Sequence, residues 1–195
     1  MPTDTTGARA PKPDDPVTLG DERARLRRTW HAGTECRCCG QRVKLYRRKL
    51  TAGMAVALLS VLRASADLGE GDEGFLHAED TLKADRRITS AARGDFAKLT
   101  YWGLVERAKG PRADGSSRNG FYRVTERGRL FCAGRLRVRP AVYLYNDAEY
   151  RAPEGADTTP VSIVDALGDR FDYAELMADV DAGPVREQAP AGAAA

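Results

Sequence analysis

The amino-acid sequence predicts an α+β fold, and three observations predict it. Residues 85–102 are a basic run with apolar residues at helical spacing. Leu104-Val105 and Phe121-Tyr122-Arg123-Val124 flank a polar, glycine-rich stretch, and Thr125-Glu126-Arg127-Gly128 opens a further helix. Helix, hairpin with a long tip and capped helix follow one another directly, so they read as one supersecondary unit.

The elements follow in order. Thr51 is placed to cap a helix whose Met54, Ala55, Leu58, Leu59 and Leu62 repeat at helical spacing, and Gly69-Glu70-Gly71-Asp72 ends it. Phe75-Leu76 reads as a short strand or a plain loop, and Asp80 as the cap of a brief helix holding Leu82. Over residues 90–102, Ala91, Phe96, Leu99 and Trp102 share one face, with Arg93 and Lys98 on the other and Arg86 and Arg87 ahead of it. Gly94 weakens this helix by about 1 kcal/mol relative to Ala, so a start at Ser90 and a start at Asp95 both stand. Gly103 reads as its C-cap. Residues 109–120 form the turn-rich tip of the hairpin, and Leu130, Phe131 and Cys132 face inward from the last helix. Trp102 and Tyr122 read as packing groups rather than base-stacking ones.

A chain of 195 residues with 42% hydrophobic content supports one packed core with appendages. No apolar stretch reaches the ~20 residues that span a bilayer, and Met1-Pro2-Thr3-Asp4 carries no signal pattern, so the expected location is the cytoplasm. Residues 1–20 and 181–195 read as disordered tails, 21–50 as a basic segment, 51–136 as the main domain and 137–180 as an acidic extension.

The net charge of +3 hides a strong segregation. Residues 21–50 hold ten Lys/Arg against three acids, residues 105–140 ten against three, and residues 141–195 three against eleven. Two separate basic segments flanking one apolar unit point to a polyanion partner. Residues 41–50 alternate basic and apolar residues, which predicts a strand with Val43 and Leu45 inward and Arg42, Lys44 and the Arg47-Arg48-Lys49 cluster facing phosphate.

Cys36-Arg37-Cys38-Cys39-Gly40 has the Cys-x-x-Cys-Gly spacing at which two thiolates on one tight turn bind a metal. A structural zinc site needs four ligands, and Cys36, Cys39, Cys38 and His31 are the candidates; a metal-free cysteine turn and a site shared between two subunits are the alternatives. Cys132 falls on an inward helix face and reads as a small core residue. In the acidic extension, Ala141-Val142-Tyr143-Leu144-Tyr145 reads as a strand before an Asn146-Asp147 turn, and Val161-Ser162-Ile163 as a strand or a helix start. Phe171, Ala174, Leu176 and Met177 line an apolar stripe suited to dimerisation or a host protein. No carboxylate pair is tied to a His, a nucleophile or a phosphate loop, so no catalytic constellation is present.

Gly103-Leu104-Val105-Glu106-Arg107 and Val124-Thr125-Glu126-Arg127-Gly128-Arg129 resemble the winged helix-turn-helix regulators of the MarR and PadR type over residues 51–136. The Cys-x-x-Cys-Gly-Gln segment, Lys-Leu-Tyr-Arg-Arg-Lys-Leu and Val-Tyr-Leu-Tyr-Asn-Asp are similar to uncharacterised actinobacterial phage proteins, which bring no established activity. The first resemblance implies a winged helix with Arg93 and Lys98 as groove contacts and Arg112 and Arg118 as wing contacts. The expected function is double-stranded DNA binding in a regulatory or accessory role, with Arg47, Arg48, Lys49, Arg86 and Arg87 adding charge. The alternative is a protein-interaction module on the same scaffold, because a fold does not fix a function. RNA binding is a third reading without the exposed aromatic pairs that single-strand readers use.

Overall fold

The computed structural model describes residues 17–66, 74–111, 115, 118–178 and 180. It is α+β, with helices and three small antiparallel sheets, and divides into two units at residue 46. Among the described residues, no helix is long and apolar enough to cross a membrane.

The first unit opens with helix α1 (Leu19–Thr29), which begins inside the stretch read as a disordered tail. The Thr18 hydroxyl accepts from the Asp21 amide at 3.1 Å, Asp21 and Glu22 occupy the first turn, and Arg27 and Arg28 the last. Those charges complement the helix dipole at both ends. Strands β1 (Thr34–Glu35) and β2 (Arg42–Val43) pair Thr34 with Val43 and Glu35 with Arg42 around the cysteine turn. The strand expected over 41–50 is two: β2, then β3 (Tyr46–Lys49), which begins at the division between units. Val43 and Leu45 are buried as the alternation predicts.

The second unit is built around helix α2 (Ala52–Ala66). Every position from Met54 to Leu62 is buried, because helices pack on most of its sides. The Thr51 hydroxyl accepts from the Met54 amide at 3.3 Å, as the capping pattern predicts. Strand β4 (Leu76–His77) leads into α3 (Ala78–Ala84), whose N-cap is His77; Asp80 lies within the first turn and does not cap it. Helix α4 (Ser90–Phe96) is capped by Thr89, whose hydroxyl accepts from the Ala92 amide at 3.2 Å, and continues as a 3-10 turn through Trp102. Its inward face is Ala92, Phe96, Leu99 and Trp102; Ala91, expected on that face, is exposed. The shift of one residue has a packing cause, since a side chain at Gly53 of α2 would approach the Ala92 Cβ to 3.0 Å. These two helices meet where both residues are smallest.

Gly103 takes a left-handed φ of 66°, which turns the chain into β5 (Val105–Arg107). Strand β6 (Phe121–Val124) pairs with β5 through Val105–Val124 and Arg107–Tyr122, and with β4 through Leu76–Tyr122. Helix α5 (Glu126–Cys132) follows at once. The Thr125 hydroxyl donates to the Gly103 carbonyl at 2.6 Å and accepts from the Gly128 amide at 3.0 Å, so one side chain ties the turn into β5 to the helix start. At Gly128 a Cβ would fall 2.1 Å from the Leu104 carbonyl oxygen, so only glycine fits.

The stretch read as an acidic extension belongs to this same core. Strands β7 (Ala141–Tyr145) and β8 (Ala148–Tyr150) form a hairpin whose Asn146 and Asp147 have φ of 49° and 59°, the left-handed pair that a two-residue turn requires. Strand β3 lies on the other edge of β7. Ser162 and Asp165 form a capping box on α6 (Ile163–Leu167), so Ser162 marks a helix start, while Val161 bridges Val138. Helix α7 (Tyr173–Met177) follows. Val142, Leu144, Ile163, Leu167 and Leu176 join one cluster with Leu58, Phe96 and Phe131. Burying each large apolar side chain contributes about 1.5–3 kcal/mol.

Candidate nucleic-acid interface

Helix α4 and the hairpin beyond it carry the residues that the sequence assigned to a groove and a wing. The outward face of α4 and its 3-10 continuation is formed by Ser90, Ala91, Gly94, Ala97 and Thr100, all exposed. Arg93 and Lys98 do not extend from it freely. The Arg93 guanidinium donates to the Ile88 carbonyl at 3.2 Å and lies 3.9 Å from Glu79, and the Lys98 ammonium is bonded to Asp95. Both side chains are more than two-thirds covered, so they border the face instead of projecting from it.

Ahead of α4, Arg86 is exposed with no partner among the described residues. Arg87 forks onto Asp85 at 2.9 and 2.7 Å. That fork holds the Asp85 carboxyl down at about 2, with help from the Arg87 amide and Ser60, while partial burial opposes the shift. Asp85 also lies 3.9 Å from Arg63 of α2, whose guanidinium donates to the Leu176 carbonyl at 2.8 Å. Arg63 thereby links the turn before α4 to the C-terminal helix.

In the hairpin, Arg118 is half-buried at the foot of the tip, and Arg112 lies outside the described residues. Two further cations emerge there that the sequence reading did not single out. Arg107 donates to Asn119 at 3.3 Å on the exposed side of β5, and Lys109 is exposed just beyond it. Strand alternation alone would have put Arg107 on the inward face with Val105; it is exposed because β5 ends there. Arg123 is spoken for by Glu106 and by the Phe75 ring, 4.7 Å from its guanidinium carbon. Arg127 donates to the Trp102 carbonyl at 3.0 Å, closing the helix end against α5.

Arg47, Arg48 and Lys49 are exposed along β3. Arg47 acts electrostatically on Asp157, whose carboxyl is held below its usual range first by the Thr159 amide and side chain and less by Arg47. The acidic segment also engages Arg139 through Glu149, and Arg137 through Asp165 at 3.4 Å. None of its acids pairs with Arg93 or Lys98 among the described residues.

The cysteine turn is organised by a carboxylate. The Glu22 side chain is only 3% exposed and accepts from Arg25 at 2.6 and 2.9 Å, from the Arg37 amide at 2.9 Å and from the Arg37 guanidinium at 2.8 Å. The Arg25 bond dominates, and these donors hold the Glu22 carboxyl far below its usual range against the opposing effect of burial. The Gly40 amide donates to the Cys36 carbonyl at 2.7 Å. Backbone amides of Cys38 and Cys39 face the Cys36 sulfur and lower its thiol pKa. No group of three or more His, Cys, Asp or Glu side chains among the described residues is arranged to hold a metal ion, although the Cys38 and Cys39 side chains both lie close to that of Cys36. His31 is exposed, its ring edge-on to Trp30. Cys132 is fully buried, and burial pushes its thiol up to about 12, which fits a core residue.

The apolar stripe expected to face a partner is mostly internal. Leu176 is buried, Phe171 and Met177 pack against the core, and the Tyr173 hydroxyl donates to the Cys132 carbonyl at 2.7 Å; Ala174 alone of the four is exposed. The chain matches no protein-family model, no curated protein and no solved structure.

Proposed function

We propose that the chain is a DNA-binding protein of winged-helix type, with α4 entering a groove and the β5–β6 hairpin as the wing, in a regulatory or accessory role. The observation that carries this reading is the outward face of α4: Ser90, Ala91, Gly94, Ala97 and Thr100 present no acid and no bulky group. A helix with such a face can lie close to base edges, where Ala91 suits a thymine methyl and Ser90 and Thr100 can donate or accept. Arg86 precedes this face, and Arg107, Lys109 and Arg118 follow it on the hairpin, where cations meet phosphates.

Arg93 and Lys98 reach DNA in this reading by exchanging Asp95 and Glu79 for phosphate or guanine. Such partly exposed pairs contribute about 0–1 kcal/mol, so the exchange costs little. Recognition then rests on close approach and phosphate contacts, with few preset base readers. The rival reading, docking of a protein on the acidic end, has less support because the stripe it needs is packed inside.

Titration into labelled mixed-sequence duplex at low and raised salt tests the proposal, with single-stranded RNA alongside. Duplex affinity that falls steeply with salt is the expected result, and the double variant R86Q/K109Q lowers the slope of log K against log salt by about 0.9 per lost contact. Absence of duplex binding at low salt overturns the reading.

A further inference from the structure

The DNA reading leaves α1 unused, although this helix carries four arginines, more than any other element of the first unit. Its seven-residue stretch from Glu22 to Arg28 separates two surfaces. Inward, Glu22 binds Arg25 and Arg37, which consumes the buried acid and two of the cations. Outward, positions 23, 24, 27 and 28 are exposed and read Arg, Ala, Arg, Arg. None of Arg23, Arg27 and Arg28 has a partner among the described residues. Asp21, exposed two residues before Arg23, accepts a hydrogen bond from the Thr18 hydroxyl at 2.6 Å at the helix start.

We propose that the outer face of α1 is a second phosphate-binding surface, with Arg23, Arg27 and Arg28 holding the sugar–phosphate backbone of duplex DNA. This rests on the DNA reading of the second unit. The occupant is chosen by charge: three guanidiniums that pair with no acid among the described residues match a phosphate row, and Arg23 and Arg27 are about 6 Å apart along the axis, enough to engage separate phosphates. The uncharged members of the face are Ala24 and, one turn ahead of Arg23, the exposed Leu19, a single large apolar side chain and too little for a protein partner to bury. The contact adds affinity without sequence preference. The Glu22 cluster is what keeps the face one-signed, because it draws the carboxylate inward and away from the three arginines.

The ordinary role of Arg27 and Arg28 is to complement the C-terminal end of the helix dipole, so the test separates charge from helix stability. The full chain is titrated into mixed-sequence duplex over a salt series as wild type, as R23Q/R27Q/R28Q and as R23K/R27K/R28K, with helix content followed by circular dichroism. The glutamine variant is expected to keep its helix content and lose about 2–3 from the salt slope, and the lysine variant to keep the wild-type slope. Two results overturn the proposal while leaving the DNA reading intact: a wild-type slope in the glutamine variant, or an equal loss in the lysine variant. A wild type that fails to bind duplex overturns the DNA reading itself, and the α1 surface with it.

Discussion

In the second unit the largest fully buried side chains include Phe96, Phe131, Met54, Leu58 and Leu99, whereas in the first the most buried side chain is a carboxylate, Glu22. The second unit gathers helices and two sheets round an apolar α2. Residues 17–46 have few large apolar groups to bury, so a compact turn there depends on one anion satisfied by several donors. The two modes fail differently. An apolar core spreads its free energy over many contacts, and its loss is global; a buried ion cluster concentrates it, and removing one partner leaves the others charged and unpaired. Each unit carries its own reporter, Trp30 in the first and the buried Trp102 in the second.

The largest expected effect is on the second unit. Gly128→Ala drives a methyl into the Leu104 carbonyl and the Val124 side chain, which a close-packed turn accommodates only by moving backbone. A loss of about 2–4 kcal/mol is expected, read as a lower urea midpoint of the Trp102 transition. An unchanged midpoint would show that the junction between β5 and α5 is softer than its packing indicates.

Glu22→Gln is expected to act locally. Arg25 and Arg37 lose their carboxylate, so amide protection across residues 19–29 falls and Trp30 emission shifts, while the Trp102 transition stays where it was. Parallel loss in both tryptophans would mean that the two units unfold as one.

Acid produces the smallest effect. Asp85 is held at about 2 in the folded chain against about 3.9 unfolded, so its contribution is present above pH 4 and is lost as pH falls towards 2. With solvent screening this amounts to about 1–2 kcal/mol. Asp85→Asn should flatten the stability profile between pH 4 and 2, as followed by urea midpoints of Trp102; an unaltered profile would assign the acid sensitivity to other carboxylates.

The legible parts of the chain were those with local signals. Helix α2 declared itself through its apolar spacing and Thr51, Gly103 through its place after Trp102, and the Val124-Thr125-Glu126-Arg127-Gly128 junction through its capping residue. Helix α1 carried signals too, with Thr18 at the cap, acids in the first turn and arginines in the last, but little apolar periodicity, and the proline-rich residues before it masked them. The inward face of α4 was read one residue off because Ala91 and Ala92 have the same side chain, and only the approach of Gly53 distinguishes them.

The sequence by itself determined α2, β5, β6, the start of α5, the C-cap at Gly103 and the segregation of charge, because these depend on backbone preference and composition over a few neighbouring residues. Only the tertiary structure decided which cations are free. Arg93 and Lys98 are bound to near neighbours, Arg86 and Lys109 are open, and Glu22 is buried between two guanidiniums. The acidic residues 137–180 joined the core in the same way, through Ile163, Leu167 and Leu176. The Lys98–Asp95 pair is three residues apart and so could have been read locally, but Glu22 with Arg37, Arg93 with Glu79 and Arg63 with the Leu176 carbonyl are relations between residues distant in the chain, and no local pattern records them.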